Sequence, residues 1–214
     1  TDFERFSVRV NSELRGGRLT LGENLSLSRS NRSNLVLNEG SPLIQAMRMP
    51  PGIPVFDDNN TPGYGYGSAY LPNFGTNPLG LIELRDDDSQ RNQAFGTLYG
   101  EYQLIDGLSY RLNAGFSYDD LENRFFQKAG GLPRQNNPRD PAYLNVGRDD
   151  YTSVLLENLL SYDQTFADRH DFNAVAGYTE QQTERNWLWG HRRGFADGDL
   201  RPLGGGLGKP DNGG

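Results

Sequence analysis

Few residues in this chain of 214 are arranged for bond-making chemistry. Asp57-Asp58-Asn59-Asn60-Thr61 has the oxygen spacing of a calcium loop, yet the sixth position lacks glycine and the twelfth is Ser68 in place of an acid. A solvated turn is the simpler reading. Gly204-Gly205-Gly206-Leu207-Gly208-Lys209-Pro210 has the outline of a phosphate loop. Its required first glycine would fall on Leu203, and Pro210 stands where a Ser or Thr would bind magnesium, so it reads as a flexible loop. Asp86-Asp87-Asp88 and Asp149-Asp150 could do acid–base work only in a pocket that tunes their pKa values. His170 and His191 lie on different segments without matching ligands. No Ser occupies a Gly-x-Ser-x-Gly elbow, and the absence of cysteine excludes thiolate chemistry. The expectation is therefore no catalytic residue, no metal and no cofactor: not an enzyme. Two aromatic groups point to binding. Tyr64, Tyr66 and Tyr70 sit among glycines that let the backbone bend and present the rings. Trp187 and Trp189 stand beside His191 and Arg192. Exposed rings of this kind stack on sugars or pack against another protein; loop self-packing or a membrane girdle is the alternative.

The composition limits what could position these groups. Only 35% of residues are hydrophobic and the mean hydropathy is −0.73, with 27 Gly and 12 Pro. Tyr and Phe still contribute eleven each, whereas disordered chains are poor in aromatics. That balance fits β-structure wetted on one side. A net charge of −7 and a pI near 4.9 argue against nucleic acid as partner, since phosphate binding needs clustered Lys and Arg. No apolar run reaches the ~20 residues of a transmembrane helix. No leader peptide is visible, and both ends, Thr1 and Gly214, read as cuts through a longer protein.

Three segments share one plan of strand, tight turn and strand. In the middle one Ala94, Gly96, Leu98, Gly100, Tyr102 and Leu104 alternate with Thr97, Tyr99, Glu101 and Gln103. After Ile105-Asp106-Gly107, Leu108, Tyr110, Leu112, Ala114, Phe116 and Tyr118 alternate with Ser109, Arg111, Asn113, Gly115 and Ser117. Period-two patterning on both sides of an Asp-Gly turn is a hairpin signal. The third segment places Val154, Leu156, Leu160, Tyr162 and Phe166 before Ala167-Asp168-Arg169, then Phe172, Ala174, Ala176 and Tyr178. Asn158 on its apolar face, and Leu155, Leu159 and Val175 on its polar face, break the pattern. The first segment runs Phe6, Val8, Val10, then Arg15-Gly16-Gly17, then Leu19, Leu21, Leu25 and Leu27. Glu23 falls on its apolar face, a placement that fits only a membrane rim.

The hairpins are expected over about 3–29, 93–120 and 151–187, with long loops over about 30–92, 121–150 and 188–214. Tight turns on one side and long loops on the other are the pattern of an outer-membrane barrel. In lipid the backbone finds no water, so spanning strands must pair around a closed cylinder, with apolar side chains outward and polar ones toward the lumen. Tyr102, Tyr110, Tyr118, Phe166 and Tyr178 would supply the interfacial aromatic belts. The expected fold is all-β: antiparallel up-and-down hairpins forming an arc of about six strands in a large barrel, which needs roughly 16–22. The alternative is the buried face of a soluble secreted β-module that binds glycans.

Met49-Pro50-Pro51-Gly52-Ile53-Pro54-Val55-Phe56-Asp57-Asp58, followed by Gly63-Tyr64-Gly65 and Asn77-Pro78-Leu79, resembles the SusC/RagA family of TonB-linked outer-membrane proteins. Tyr99-Gly100-Glu101-Tyr102, Glu157-Asn158-Leu159-Leu160-Ser161-Tyr162 and Ala176-Gly177-Tyr178-Thr179 look like its following hairpins. The resemblance implies a barrel of about 22 strands around an N-terminal plug in a Gram-negative outer membrane, driven by the TonB complex. It implies a SusD-like lipoprotein lid and glycan or peptide substrates. On that expectation residues 1–214 are a partial barrel domain in contact with membrane lipid, without plug or TonB box, serving nutrient import. A passive channel is the second reading.

Overall fold

The computed structural model describes residues 2–34, 40–60, 63–68, 70–71, 75–130, 132, 141–167, 169–195, 202–207, 209 and 211–213. Each alternating segment folds as strand: β1 (Phe3–Gly16), β2 (Leu19–Ser33), β3 (Arg85–Ile105), β4 (Leu108–Gln127), β5 (Tyr143–Phe166) and β6 (His170–Arg193). Two short helices, α1 (Pro42–Arg48) and α2 (Pro78–Glu83), lie between β2 and β3, and a three-residue β7 (Asp211–Gly213) pairs with β6. All strands join one antiparallel sheet in sequential order. Among the described residues the sheet is an open arc whose β1 edge is unpaired. No helix in them is long and apolar enough to cross a membrane.

The strands outrun the alternation that announces them. Residues 121–127 and 143–150, expected as loop, are the upper parts of β4 and β5, and β6 continues past Trp187 to Arg193. Likewise β2 reaches Ser33 and β3 starts at Arg85. The reason is physical: above the apolar zone both faces of the sheet meet water, so hydropathy stops alternating while the backbone ladder continues.

The register sorts side chains into two faces. Opposed residues share a face, so Leu14, Leu21, Gly100, Leu112, Asn158 and Tyr178 form one outward row. On β3 the outward apolar stretch runs from Ala94 to Leu104. The boundaries of this belt run diagonally. Phe6, its top on β1, is level with Asn186 on β6, eight residues above Tyr178, where the belt begins there. Leu14, near its bottom on β1, is level with Tyr178, six residues above Phe172, the bottom on β6. Shifts of six to eight residues are about 20–26 Å along a strand, across five spacings totalling about 24 Å. With the belt set level, the strands therefore lean roughly 40–47° from its perpendicular, close to the lean of outer-membrane barrel strands. At that lean the stretch Ala94–Leu104 stands about 24 Å tall, the height of such a barrel's apolar band.

The irregular positions have local explanations. Asn158 accepts a 2.6 Å hydrogen bond from the Tyr110 hydroxyl, so its amide oxygen is not bare in the belt. On the inward face Leu155 lies against Gly115, and Leu159 fills the space where a Gly177 side chain would stand. Outward, the Phe116 ring covers Gly96 in the same way. Glu23 corrects the expectation of a rim: it faces outward opposite Leu98, inside the belt, and accepts a 3.1 Å hydrogen bond from Ser12 Oγ. At the short turns Gly17 and Gly107 adopt φ +57° and +79°, conformations that glycine takes without a Cβ penalty.

This sidedness sets an expected outcome. Leu98→Arg places a charge on the lipid face and should cost the intact barrel about 2–4 kcal/mol. Thr97→Arg, facing inward beside Gly115, should cost under about 1 kcal/mol, as an ordinary exposed change does. Urea unfolding of both variants in lipid vesicles measures the difference, and equal losses would refute the assignment of faces.

Candidate functional site: the mouth of the arc

The residues linking β2 to β3 build a folded platform at the end of the sheet opposite the tight turns. Asn77 is its centre. Its Oδ1 accepts from Leu79 N (3.1 Å) and Gly80 N (3.2 Å), capping α2. Its Nδ2 donates to Val55 O (2.8 Å) and Gly65 O (3.1 Å). One buried side chain thus ties together the Ile53–Asp57, Gly63–Gly65 and Asn77–Leu79 segments that carry the family resemblance. Backbone bonds from Gly65 N to Val55 O (3.0 Å) and from Asp57 N to Gly63 O (2.9 Å) complete a small hairpin. A Cβ on Gly65 would lie 1.8 Å from Pro54 O, so this close approach requires glycine. Asp57 Oδ1 accepts from Asn59 N and Nδ2 at 3.0 and 2.9 Å: the carboxylate considered for calcium closes a local turn. Thr61 lies outside the described residues.

Tyr64, one of the aromatic candidates, is only 8% exposed and packs with Leu81, Leu84 and Leu132. Its hydroxyl donates to Glu83 Oε2 at 2.5 Å. Burial, and then the Glu83 carboxylate, push the phenol up to about 12. Its ring belongs to the platform's interior. Tyr66 and Tyr70 remain on the surface, Tyr70 at 98% exposure, with Val55, Phe56 and Leu71. The platform is held to the sheet by Lys128 N (2.8 Å) and Gln127 Nε2 (3.1 Å), both donating to Leu84 O.

Trp187 and Trp189 sit on the inward face of upper β6, opposite Asp149 and Gly147. Nothing lies within 4 Å of a Cβ built on Gly147, so Trp189 borders an open notch. Sequence reading did not bring Phe125 and Tyr143 to this wall, because only the register does so. Their rings are 5.8 Å apart, and Tyr143 is 5.7 Å from the His191 ring. His191 pairs through Nδ1 with Asn145 Oδ1 and accepts from Arg193 Nε at 2.9 Å, whereas His170 starts β6 at its far end. The charge runs are divided between faces. Asp149 faces inward on Arg185 (2.5 Å), and Asp150 faces outward with Arg148 (3.1 Å), which also holds Asp120 at 2.8 Å. Asp87 accepts from Asn34 Nδ2 (2.9 Å) and Asp88 from Ser33 Oγ (2.9 Å). Among the described residues no group of His, Asp and Glu could hold a metal. In the glycine-rich tail, Leu203 lies on Gly190 and Gly206 O accepts from Arg192 Nε at 2.9 Å; Gly208 and Pro210 are outside the described residues. The arrangement offers surfaces for binding: an exposed platform and an aromatic inner wall.

An all-antiparallel arc with this belt, lean and built mouth has the architecture of a wall segment of a large β-barrel. No family model matches the chain. The TonB-dependent receptor P3 of Formosa agariphila is 23% identical over 210 residues, covering 94% of this chain and 20% of the relative. The RagAB peptide importer in the 'open-open' state matches with a TM-score of 0.74 at 22% identity, over 98% of this chain and 24% of that one. A second solved structure, the RagAB peptide transporter, gives 0.76 at 23% identity with the same coverage. At the level of a barrel segment, the chain is similar in fold to the RagA-containing importers and in sequence to a TonB-dependent receptor. It spans about a fifth of the curated relative's length.

Two outcomes test the platform. Asn77→Ala removes the α2 cap, worth about 0.5–2 kcal/mol, and takes the side-chain donor from Val55 O and Gly65 O. Hydrogen exchange across residues 53–65 should accelerate at least tenfold while the sheet's protection stays unchanged. A raised phenol favours the folded loop fully below pH 10, its ordinary value, and loses that contribution as pH rises from 10 through about 12. Protection of the loop should therefore fall over that range, and Tyr64→Phe should remove the fall.

Proposed function

We propose that the chain forms wall and mouth of a TonB-dependent importer in a Gram-negative outer membrane, taking up glycans or peptides. The carrying observation is the diagonal, two-faced belt with tight turns at one end and a folded platform at the other. A soluble sheet has no reason to keep its apolar zone at constant height across leaning strands. The relatives are a TonB-dependent receptor and peptide importers, which supports active uptake over a passive channel. In this reading an upstream plug fills the lumen and couples to the TonB complex. A SusD-like lipoprotein lid rests on the platform near Tyr66 and Tyr70, and Trp187 and Trp189 contact substrate as it enters.

The test is made on the full-length protein in its own cells. It should fractionate with the outer membrane and support growth on its nutrient only when TonB is intact. Trp187→Ala with Trp189→Ala should reduce substrate affinity about tenfold, the scale of one lost stacking contact, without lowering the amount in the membrane. Recovery in the soluble fraction, or uptake independent of TonB, would overturn the proposal.

A further inference from the structure

Although the chain is acidic overall, with net charge −7, its inner wall at the mouth of β1–β3 is basic. Arg5, Arg9, Arg32 and Arg91 all face inward. Arg5 opposes Ser30, which opposes Arg91 on the next strand, and Arg32 is two residues beyond Ser30. That spacing puts the Cα atoms of Arg5 and Arg32 about 7–8 Å apart, and those of Arg5 and Arg91 about 10 Å apart. Asp119 is committed to Arg91, at 2.8 and 2.5 Å, and also accepts from Gln93 at 2.9 Å. Arg5, Arg9 and Arg32 have no carboxylate partner among the described residues. Glu4 and Asp88 face outward, across the sheet, and the inward carboxylate diagonal to Arg32, Asp87, accepts from Asn34 Nδ2 at 2.9 Å. Clustered guanidiniums repel one another, and an anionic group bound between them would relieve that repulsion while taking paired hydrogen bonds.

The same cross-strand row continues from Arg5, Ser30 and Arg91 through Leu121 and Asp149 to Trp187. The row beside it carries Arg32, Ser89, Asn123, Gly147 and Trp189. Cations at one end, ring faces at the other and hydroxyl or amide groups between them suit a chain of sugar rings with acidic substituents. Resting on the importer reading above, we infer that the mouth selects anionic oligosaccharides, with Arg5 and Arg32 binding carboxylate or sulfate groups and Trp187 and Trp189 stacking on sugar rings.

Titration calorimetry on the full-length receptor in detergent tests this with four probes of matched length: an oligogalacturonate, a sulfated oligodextran, a neutral oligodextran and an oligoglutamate peptide. At least one anionic sugar should bind tenfold or more tightly than the neutral one and weaken as salt rises. Arg5→Gln with Arg32→Gln should erase that preference, and Trp187→Ala with Trp189→Ala should weaken both sugar classes alike. Equal binding of neutral and anionic sugars, or a preference that survives the arginine changes, overturns the inference. So does oligoglutamate binding as tightly as the sugars. A protein that inserts into the outer membrane and imports by TonB while failing these arms refutes the inference alone; one that never inserts refutes the importer reading first.

Discussion

In hydrocarbon a peptide group has no solvent to fall back on, so each N–H and C=O within the belt must be satisfied by the neighbouring strand. That requirement fixes the pairing, and the pairing fixes nearly everything else. A slip of β4 by one residue against β3 would turn Leu112 and Phe116 into the lumen and Arg111 and Asn113 into lipid. The belt, its diagonal boundaries and the lean of the strands all follow from one unbroken register. Packing has a lesser part here than in a water-soluble fold. Among the described residues, Phe126 and Leu144 are the large side chains fully removed from solvent, and both lie above the belt, beside Phe195.

The hairpins were legible because lipid and lumen impose opposite demands on successive residues. Ala94–Leu104 and Leu108–Tyr118 follow that rule almost without exception. Legibility fails where the demand relaxes. Above the belt, residues 121–127 and 143–150 are strands that read as loops, since water on both faces leaves no alternation. Glu23 seemed to mark a rim because hydropathy carries no depth; the register places it opposite Leu98.

The mouth was legible in outline only. Tyr64, Tyr66 and Tyr70 looked equivalent in sequence, yet burial separates the first from the other two. The role of Asn77 needed contacts over 12 and 22 residues, beyond any local pattern. The aromatic wall was half visible: Trp187 and Trp189 announce a shared face by their spacing, whereas Phe125 and Tyr143 reach it from two other strands. The grouping of Arg5, Arg32 and Arg91 is likewise a property of pairing.

The four bonds made by Asn77 all end on main-chain atoms. None depends on the identity of the side chains displayed around it, at Val55, Phe56, Tyr66 or Tyr70. Scaffold and display are therefore separable, as in a loop whose framework is constant while its tips vary. Mutation can rewrite what the surface recognises while the fold beneath stays intact, so a lineage carrying this loop can change partners or nutrients by small, independent steps.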